Sequence, residues 1–181
     1  HHVTVAVSSF RKTMTQKIHG VKVAPFKTLL HNPPFNPSLL PYHLKNASSF
    51  DVVHLHLPNP WAELCCLLAK PKKLIITYHA DITHKKLSRL VLPIQRKILT
   101  WADRIIVSSD WYRDTSPTLR SFAHNCVTIP FGINIKKFST TQKTSLLALQ
   151  HLPRPYYLFV GRLVSYKGLD YLLSAMNGLT G

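Results

Sequence analysis

Acidic side chains are scarce in this sequence. Six aspartates and a single glutamate, Glu63, stand against 23 lysines and arginines. So few carboxylates leave little material for paired-carboxylate hydrolysis or for an oxygen-rich metal shell. Cysteine is scarce too: three residues, two of them adjacent (Cys65 and Cys66), do not make a disulfide framework, and a reducing, cytoplasmic compartment is expected. Cys65 and Cys66 fall in an expected helix and Cys126 opens an expected strand, so all three read as core rather than nucleophiles. No run reaches the roughly 18 apolar residues of a membrane-spanning helix. The chain starts on the strand-like segment VTVAV rather than on a secretory signal. A G-x-S-x-G elbow, a G-x-x-x-x-G-K-[ST] loop, a CxxC pair and internal repeats are all missing.

What the sequence has is positive charge and a core. The formal net charge is +16 and 45% of residues are hydrophobic. Such a surface attracts polyanions: nucleic acid, anionic lipid headgroups or phosphorylated small molecules. The cations come in scattered pairs (Lys72-Lys73, Lys85-Lys86, Arg96-Lys97, Lys136-Lys137) without the interleaved aromatics of a single-strand-binding platform. A nucleic-acid-binding module therefore stands only as a second alternative, and nucleic acid is not the expected partner.

Short β-branched segments alternate with helical ones. Val3–Val7, Val21–Phe26, Val52–Leu57, Leu74–His79, Arg104–Ser108, Val127–Pro130 and Tyr157–Val160 read as strands, several with the near-continuous apolar character of a parallel sheet. Pro25 should confine the second to an edge or cut it short. Trp61, Leu64, Cys65 and Leu68 are spaced as a helix face, as are Leu87, Leu90, Val91, Ile94, Ile98 and Trp101, with Pro93 kinking or splitting the latter. A third face runs through Leu169, Leu172, Leu173 and Met176, while His31–Pro41 reads as a loop. The expected fold class is α/β, an open, doubly wound, mostly parallel sheet. A boundary is expected near Ile133–Pro155, giving a Rossmann-like domain over 1–133, a linker over 134–155 and the first strand and helix of a second domain over 156–181. One strand and one helix bury no core of their own.

Three segments carry candidate chemistry. In VGRLVSYKGLDYLL (Val160–Leu173) a strand ends at Gly161, a loop brings Arg162 and Lys167, and Gly168 opens a helix. Helix N–H groups with two cations make a diphosphate-binding device, or else this is a plain βα turn with solvated charges. In DVVHLHLPNP, His54 and His56 are two apart on a strand and leave one face at its carboxyl end, where open α/β sheets place ligands. The alternative for them is packing as neutral rings. In ITYHADITHKK, His79 and Asp81 lie just past the next strand's end. A His there can position a hydroxyl or stabilise developing charge; Asp81 can orient it, bind a sugar hydroxyl or simply cap a helix. His54, His56, His79, Asp81 and His84 also admit a metal-dependent hydrolase, an HxH followed by an HxD.

Taken in order, DVVHLHLPNPWAEL, ITYHADI, WADRIIVSSDWYRDTSPTL, VTIPFGI and LFVGRLVSYKGLDYLLSAM resemble the family 4 retaining glycosyltransferases of the GT-B fold, in particular bacterial members that build cell-surface polysaccharide and lipopolysaccharide. The resemblance covers roughly Val3 to Met176. It implies two Rossmann-like domains, the N-terminal one binding the acceptor and the C-terminal one the nucleotide sugar. It implies an active-site role for His79 near the transferred sugar and diphosphate contacts for Arg162 and Lys167. For His54, Asp81 and Ser109 it implies only proximity to the cleft. A UDP- or GDP-sugar substrate, no cofactor, no metal requirement, a lipid-linked saccharide acceptor and a peripheral place on the anionic inner face of the cell membrane follow as expectations. Two parts of the family pattern have no counterpart in these residues: the opening strand with its Gly-rich turn, and the later half of the C-terminal domain with its paired-Glu motif. The chain by itself is therefore expected to be inactive.

Overall fold

In the computed structural model the described residues are 2–10, 14–31, 33–82, 85–136 and 156–178, with backbone alone at 31 and 85–88. His84 lies outside them. They fall into two compact units, His1–Gly132 and Ile133–Gly181.

In the first unit β1 (Thr4–Ser9) pairs in parallel with β3 (Val21–Lys27), and β2 (Gln16–Ile18) lies antiparallel on the far side of β3. The proline-bearing strand is thus the middle one, contrary to the expectation of an edge. The reason is local. The Lys22 and Thr28 amides donate to the Val3 and Ser9 carbonyls at 3.0 and 2.9 Å, so even-numbered amides face β1. The missing N–H of Pro25 faces the other side, where the β2 ladder has already stopped at Val23. The stretch expected as a loop contains a small hairpin, β4 (Leu30–His31) with β5 (Pro34–Phe35), and the start of α1 (Leu39–Asn46). Pro41 is tolerated because it sits in the first turn of α1, whose N–H groups have no intrahelical partner.

The main sheet consists of β6 (Val53–Leu57), β7 (Leu74–Tyr78), β8 (Arg104–Val107) and β9 (Cys126–Thr128), all parallel and adjacent in chain order. The crossovers carry α2 (Pro60–Ala69), α3 (Lys85–Trp101) and α4 (Asp110–Thr115), the last followed by a 3-10 turn at Leu119–Asn125. Leu55, Leu57, Ile76, Ile105 and Val107 point to one face and pack with Cys65, Cys66, Ile98 and Leu99 from the helices. Each such fully buried aliphatic side chain contributes about 1.5–3 kcal/mol. The other face carries His54, His56, Ile75 and Ile106 and is less covered by the described residues. A cavity of about 1000 Å³ separates β1 from β6, lined among others by Val5, Val7, Phe26, Tyr42 and His54.

Helix α3 runs unbroken through Pro93. Pro93 is exposed, so the carbonyl it deprives of a partner lies on the water side. The buried seam is Val91, Gln95, Ile98 and Leu99, whereas Leu90 is 76% exposed, so the expected stripe is displaced around the axis. Burial holds the Cys65 and Cys66 thiols up at about 11 and about 12, as inert core groups. In the second unit Tyr157–Val160 forms no strand, because no neighbouring segment among the described residues offers it a ladder. A 3-10 turn at Ser165–Lys167 leads through Gly168 into α5 (Leu169–Asn177). No helix among the described residues is long and apolar enough to cross a membrane.

The N-terminus of α2 is closed reciprocally. Asn59 Oδ1 accepts from the Ala62 N–H at 3.2 Å, and Glu63 Oε1 accepts from the Asn59 N–H at 3.0 Å. Among the described residues the second Glu63 oxygen and the Gln95 Nε2 are buried without a well-formed hydrogen bond, although the Gln95 side chain is near enough to favour the Glu63 anion. Burial pushes the Glu63 carboxyl up to about 7 against the Asn59 bond that favours its anion. With the unfolded value near 4.5, the unfolded chain ionises at Glu63 first as pH rises, so the contribution of Glu63 to stability is most favourable below about pH 4.5 and falls towards pH 7. Glu63→Gln keeps an acceptor for Asn59 and removes the titration. It should be more stable than the parent at pH 7.5, by about 2–3 kcal/mol at most, and no more stable at pH 4.5. Urea-denaturation midpoints at the two pH values check this; an equal gain at both would refute the assignment.

Candidate functional site at the carboxyl ends of the central strands

The register of β6 and β7 sets Leu55 beside Ile76, His56 beside Thr77 and Leu57 beside Tyr78. Because side chains alternate, the leucines turn into the core while His54 and His56 share the open face. The ladder runs one bond further, from the His79 N–H to the Leu57 carbonyl at 3.0 Å, and His79 is thereby held at the strand end. The chain leaves β6 through a cis Leu57–Pro58 peptide.

Three imidazoles line up across this edge. His54 Nε2 lies 2.7 Å from Thr77 Oγ1, and its ring centroid is 4.6 Å from that of His56. His56 Nδ1 lies 2.9 Å from His79 Nε2; their planes are 10° apart with centroids 5.2 Å apart, so the two rings lie side by side in nearly one plane. Phe131 continues the row, 5.8 Å from His79 and 15° from its plane. Partial burial lowers the pKa of His54 and of His56, and the neighbouring imidazoles lower both further, so these two rings stay neutral over more of the pH range than a free histidine.

Asp81 is a junction. The Tyr78 and Ser116 hydroxyls donate to Oδ1 at 3.0 and 2.8 Å, and the Tyr112 hydroxyl donates to Oδ2 at 3.2 Å. These donors come from β7, from α4 and from the turn after α4. Burial, with the Asp81 charge adding to it, raises both tyrosine hydroxyls above their ordinary range, so both remain donors. Ser109 caps α4, its Oγ accepting from the Tyr112 N–H at 3.2 Å. The structure thus brings His54, His56 and His79 together, and separately links Asp81 to the Ser109-capped α4 through Tyr112. Nothing in the sequence pattern singled out Tyr78, Tyr112 and Ser116: Tyr78, three residues before Asp81, reads as a core strand residue, and the other two hydroxyls are 31 and 35 residues from their acceptor and leave no spacing signal.

Arg162 and Lys167 lie in the second unit, both exposed. The Val164 N–H donates to the Arg162 carbonyl and the Lys167 N–H to the Val164 carbonyl, at 2.9 and 3.0 Å, which curls the loop. Gly168 ends it at φ +69°, where a side chain is strained, and α5 begins one residue later. Lys167 Nζ sits 5.5 Å from the Tyr166 ring centroid.

The metal-hydrolase alternative gains no support. Among the described residues no group of three or more His, Cys, Asp and Glu is placed to hold a metal ion, and Asp81 is committed to three hydroxyls.

The junction yields a stability prediction. Asp81→Ala removes the acceptor of the Ser116 and Tyr112 hydroxyls and leaves Tyr78 only the longer bond to Gln95 Oε1 at 3.4 Å, and should cost about 3 kcal/mol. Asp81→Asn, which keeps an acceptor oxygen, should cost less than half as much. Denaturant titration separates them, and equal costs would mean that the carboxylate, not the acceptor geometry, holds the junction.

Comparisons with known proteins agree with this architecture. The O-antigen chain mannosyltransferase C of Escherichia coli is 31% identical over 144 residues, 78% of this chain and 39% of that protein. The D-rhamnosyltransferase WbpZ of Pseudomonas aeruginosa is 31% identical over 166 residues, 88% of this chain and 43% of that protein. The chain thus spans less than half the length of these curated relatives. The family model described as Glycosyltransferase Family 4 matches residues 1–137, which includes β1 to β9 and every histidine of the row, and the chain belongs to that family.

Proposed function

We propose that the intact protein is a hexosyltransferase: it moves a hexose from a nucleoside-diphosphate sugar to a hydroxyl group of a lipid-linked saccharide in cell-surface polysaccharide synthesis, with retention of configuration. The observation that carries this reading is the placement of His79. A family 4 fold sets it at the carboxyl end of a central parallel strand, exposed, with its Nε2 held by a neighbouring ring. A histidine so fixed hydrogen-bonds the sugar as charge develops at its reacting carbon. Arg162 and Lys167, with the N-terminus of α5, neutralise the departing diphosphate. The division into an acceptor-binding domain over 1–133, a linker over 134–155 and a donor-binding domain opening at 156 is part of the same proposal. No cofactor or metal is required by it. The two relatives named for mannose and rhamnose transfer make those sugars the first donors to try.

The surface suits an anionic membrane on the cytoplasmic side. With a net charge of +16, long-range attraction draws the protein to acidic headgroups and to a phosphorylated acceptor. On the solvent side of α3, Arg89, Arg96 and Lys97 stand beside exposed Leu90 and Trp101, a cationic and apolar mixture that suits the headgroup region.

The test is nucleoside-diphosphate release by the full-length protein over a panel of UDP- and GDP-sugars, with a lipid-linked saccharide acceptor in anionic vesicles. Release is expected with one donor, reduced at least a hundredfold by Arg162→Ala, Lys167→Ala or His79→Ala, and vesicle binding should collapse at high salt. Release unaffected by all three substitutions would overturn the assignment of roles. Salt-insensitive vesicle binding would remove the electrostatic part.

A further inference from the structure

In the row of rings only His79 is given a contact with substrate by the proposed chemistry, and the neighbour that holds its Nε2 has a part of its own. His56 is exposed, lies on β6 and touches His79 through a nitrogen–nitrogen contact of 2.9 Å. We propose that His56 is a positioning residue for His79, holding that ring in one plane and leaving its Nδ1 as the nitrogen offered to the sugar; the inference rests on the catalytic placement of His79 proposed above.

The argument is geometric. A histidine at the end of a strand has its backbone fixed by the ladder, but its χ1 and χ2 are free unless something grips the ring. His79 is exposed, so core packing does not grip it. Two contacts do: the Phe131 ring, 5.8 Å away and nearly parallel, limits tilt, and His56 Nδ1 anchors Nε2. An N–H···N bond needs one donor and one acceptor, so the proton positions of the two imidazoles are tied to each other. Phe131 alone leaves the ring free to turn within its plane, and only a directed bond stops that. His56 is itself braced, since His54 lies against it at 4.6 Å and is anchored on Thr77 Oγ1 at 2.7 Å. The brace therefore runs from a buried β7 threonine, through two β6 rings, back to the residue just beyond β7.

This role separates from plain packing by the choice of substitution. Asparagine at 56 keeps a polar atom where the imidazole Nδ1 stands, while phenylalanine keeps the flat ring and loses the bond. In full-length protein with its donor and acceptor, His56→Ala and His56→Phe should lower kcat about ten- to a hundredfold and move KM for the donor less than threefold. His56→Asn should restore kcat to within about fivefold of the parent. Urea midpoints measured alongside should stay within error of the parent, because the side chain is exposed. Full rescue by phenylalanine and not by asparagine would overturn the positioning role in favour of packing. Parent-like kcat in His56→Ala, with His79→Ala inactive, would overturn it while leaving the catalytic placement of His79 standing. Parent-like kcat in His79→Ala would overturn both.

Discussion

The alignment of β6 against β7 is the constraint on which the rest of the site depends. In that register Leu55 and Leu57 meet Ile76 and Tyr78 in the core, and the same alternation turns His54 and His56 outward. A slip of one residue would put two imidazoles into the apolar layer and two leucines into the open, so the core itself enforces the position of the histidines. The backbone bond from His79 to Leu57 then carries the register one step past the strand. The Asp81 junction pins the following loop to α4 and to the turn beyond it.

Scarce carboxylates are largely committed to structure. Glu63 closes the α2 N-terminus, Asp81 gathers three hydroxyls and Asp103 Oδ2 accepts the Leu74 N–H at 2.8 Å where β7 begins. Asp110 and Asp114 pair with Arg113, at 2.8 and 2.7 Å. Few acids remain to balance the other cations, and the excess positive charge is left facing outward. The composition that leaves little material for paired-carboxylate catalysis is thus the one that gives the chain its net charge of +16.

How far the sequence reveals this depends on the range of each interaction. The strand and helix alternation is local in origin, and β3, β6, β7 and β8 appear within a residue or two of where apolar runs put them. The shared face of His54 and His56 follows from a spacing of two, and the place of His79 from a strand ending before it. Pro25 misleads because its tolerance depends on where the β2 ladder stops, a tertiary fact. Helix α1 is hidden by the prolines around it, since Pro41 is harmless only in a first turn. Tyr157–Val160 has the composition of a strand, but composition cannot supply a neighbour. Asp81 is visible as a residue at a strand end, whereas two of its three donors, Tyr112 and Ser116, are brought to it only by the fold. Likewise the bond between His56 and His79 joins residues 23 apart, and only the parallel pairing brings them together.

The central claim is that His79, at the end of β7, contacts the transferred sugar while Arg162 and Lys167 hold the diphosphate. A crystal structure of the full-length protein with an intact or non-hydrolysable nucleoside-diphosphate sugar tests it most directly. The account predicts a His79 ring nitrogen within hydrogen-bond distance of the sugar, its Nε2 still on His56, and the Arg162 and Lys167 side chains on the diphosphate oxygens. A sugar seated away from the carboxyl ends of β6 and β7, with His79 in water and the two cations off the diphosphate, would contradict it.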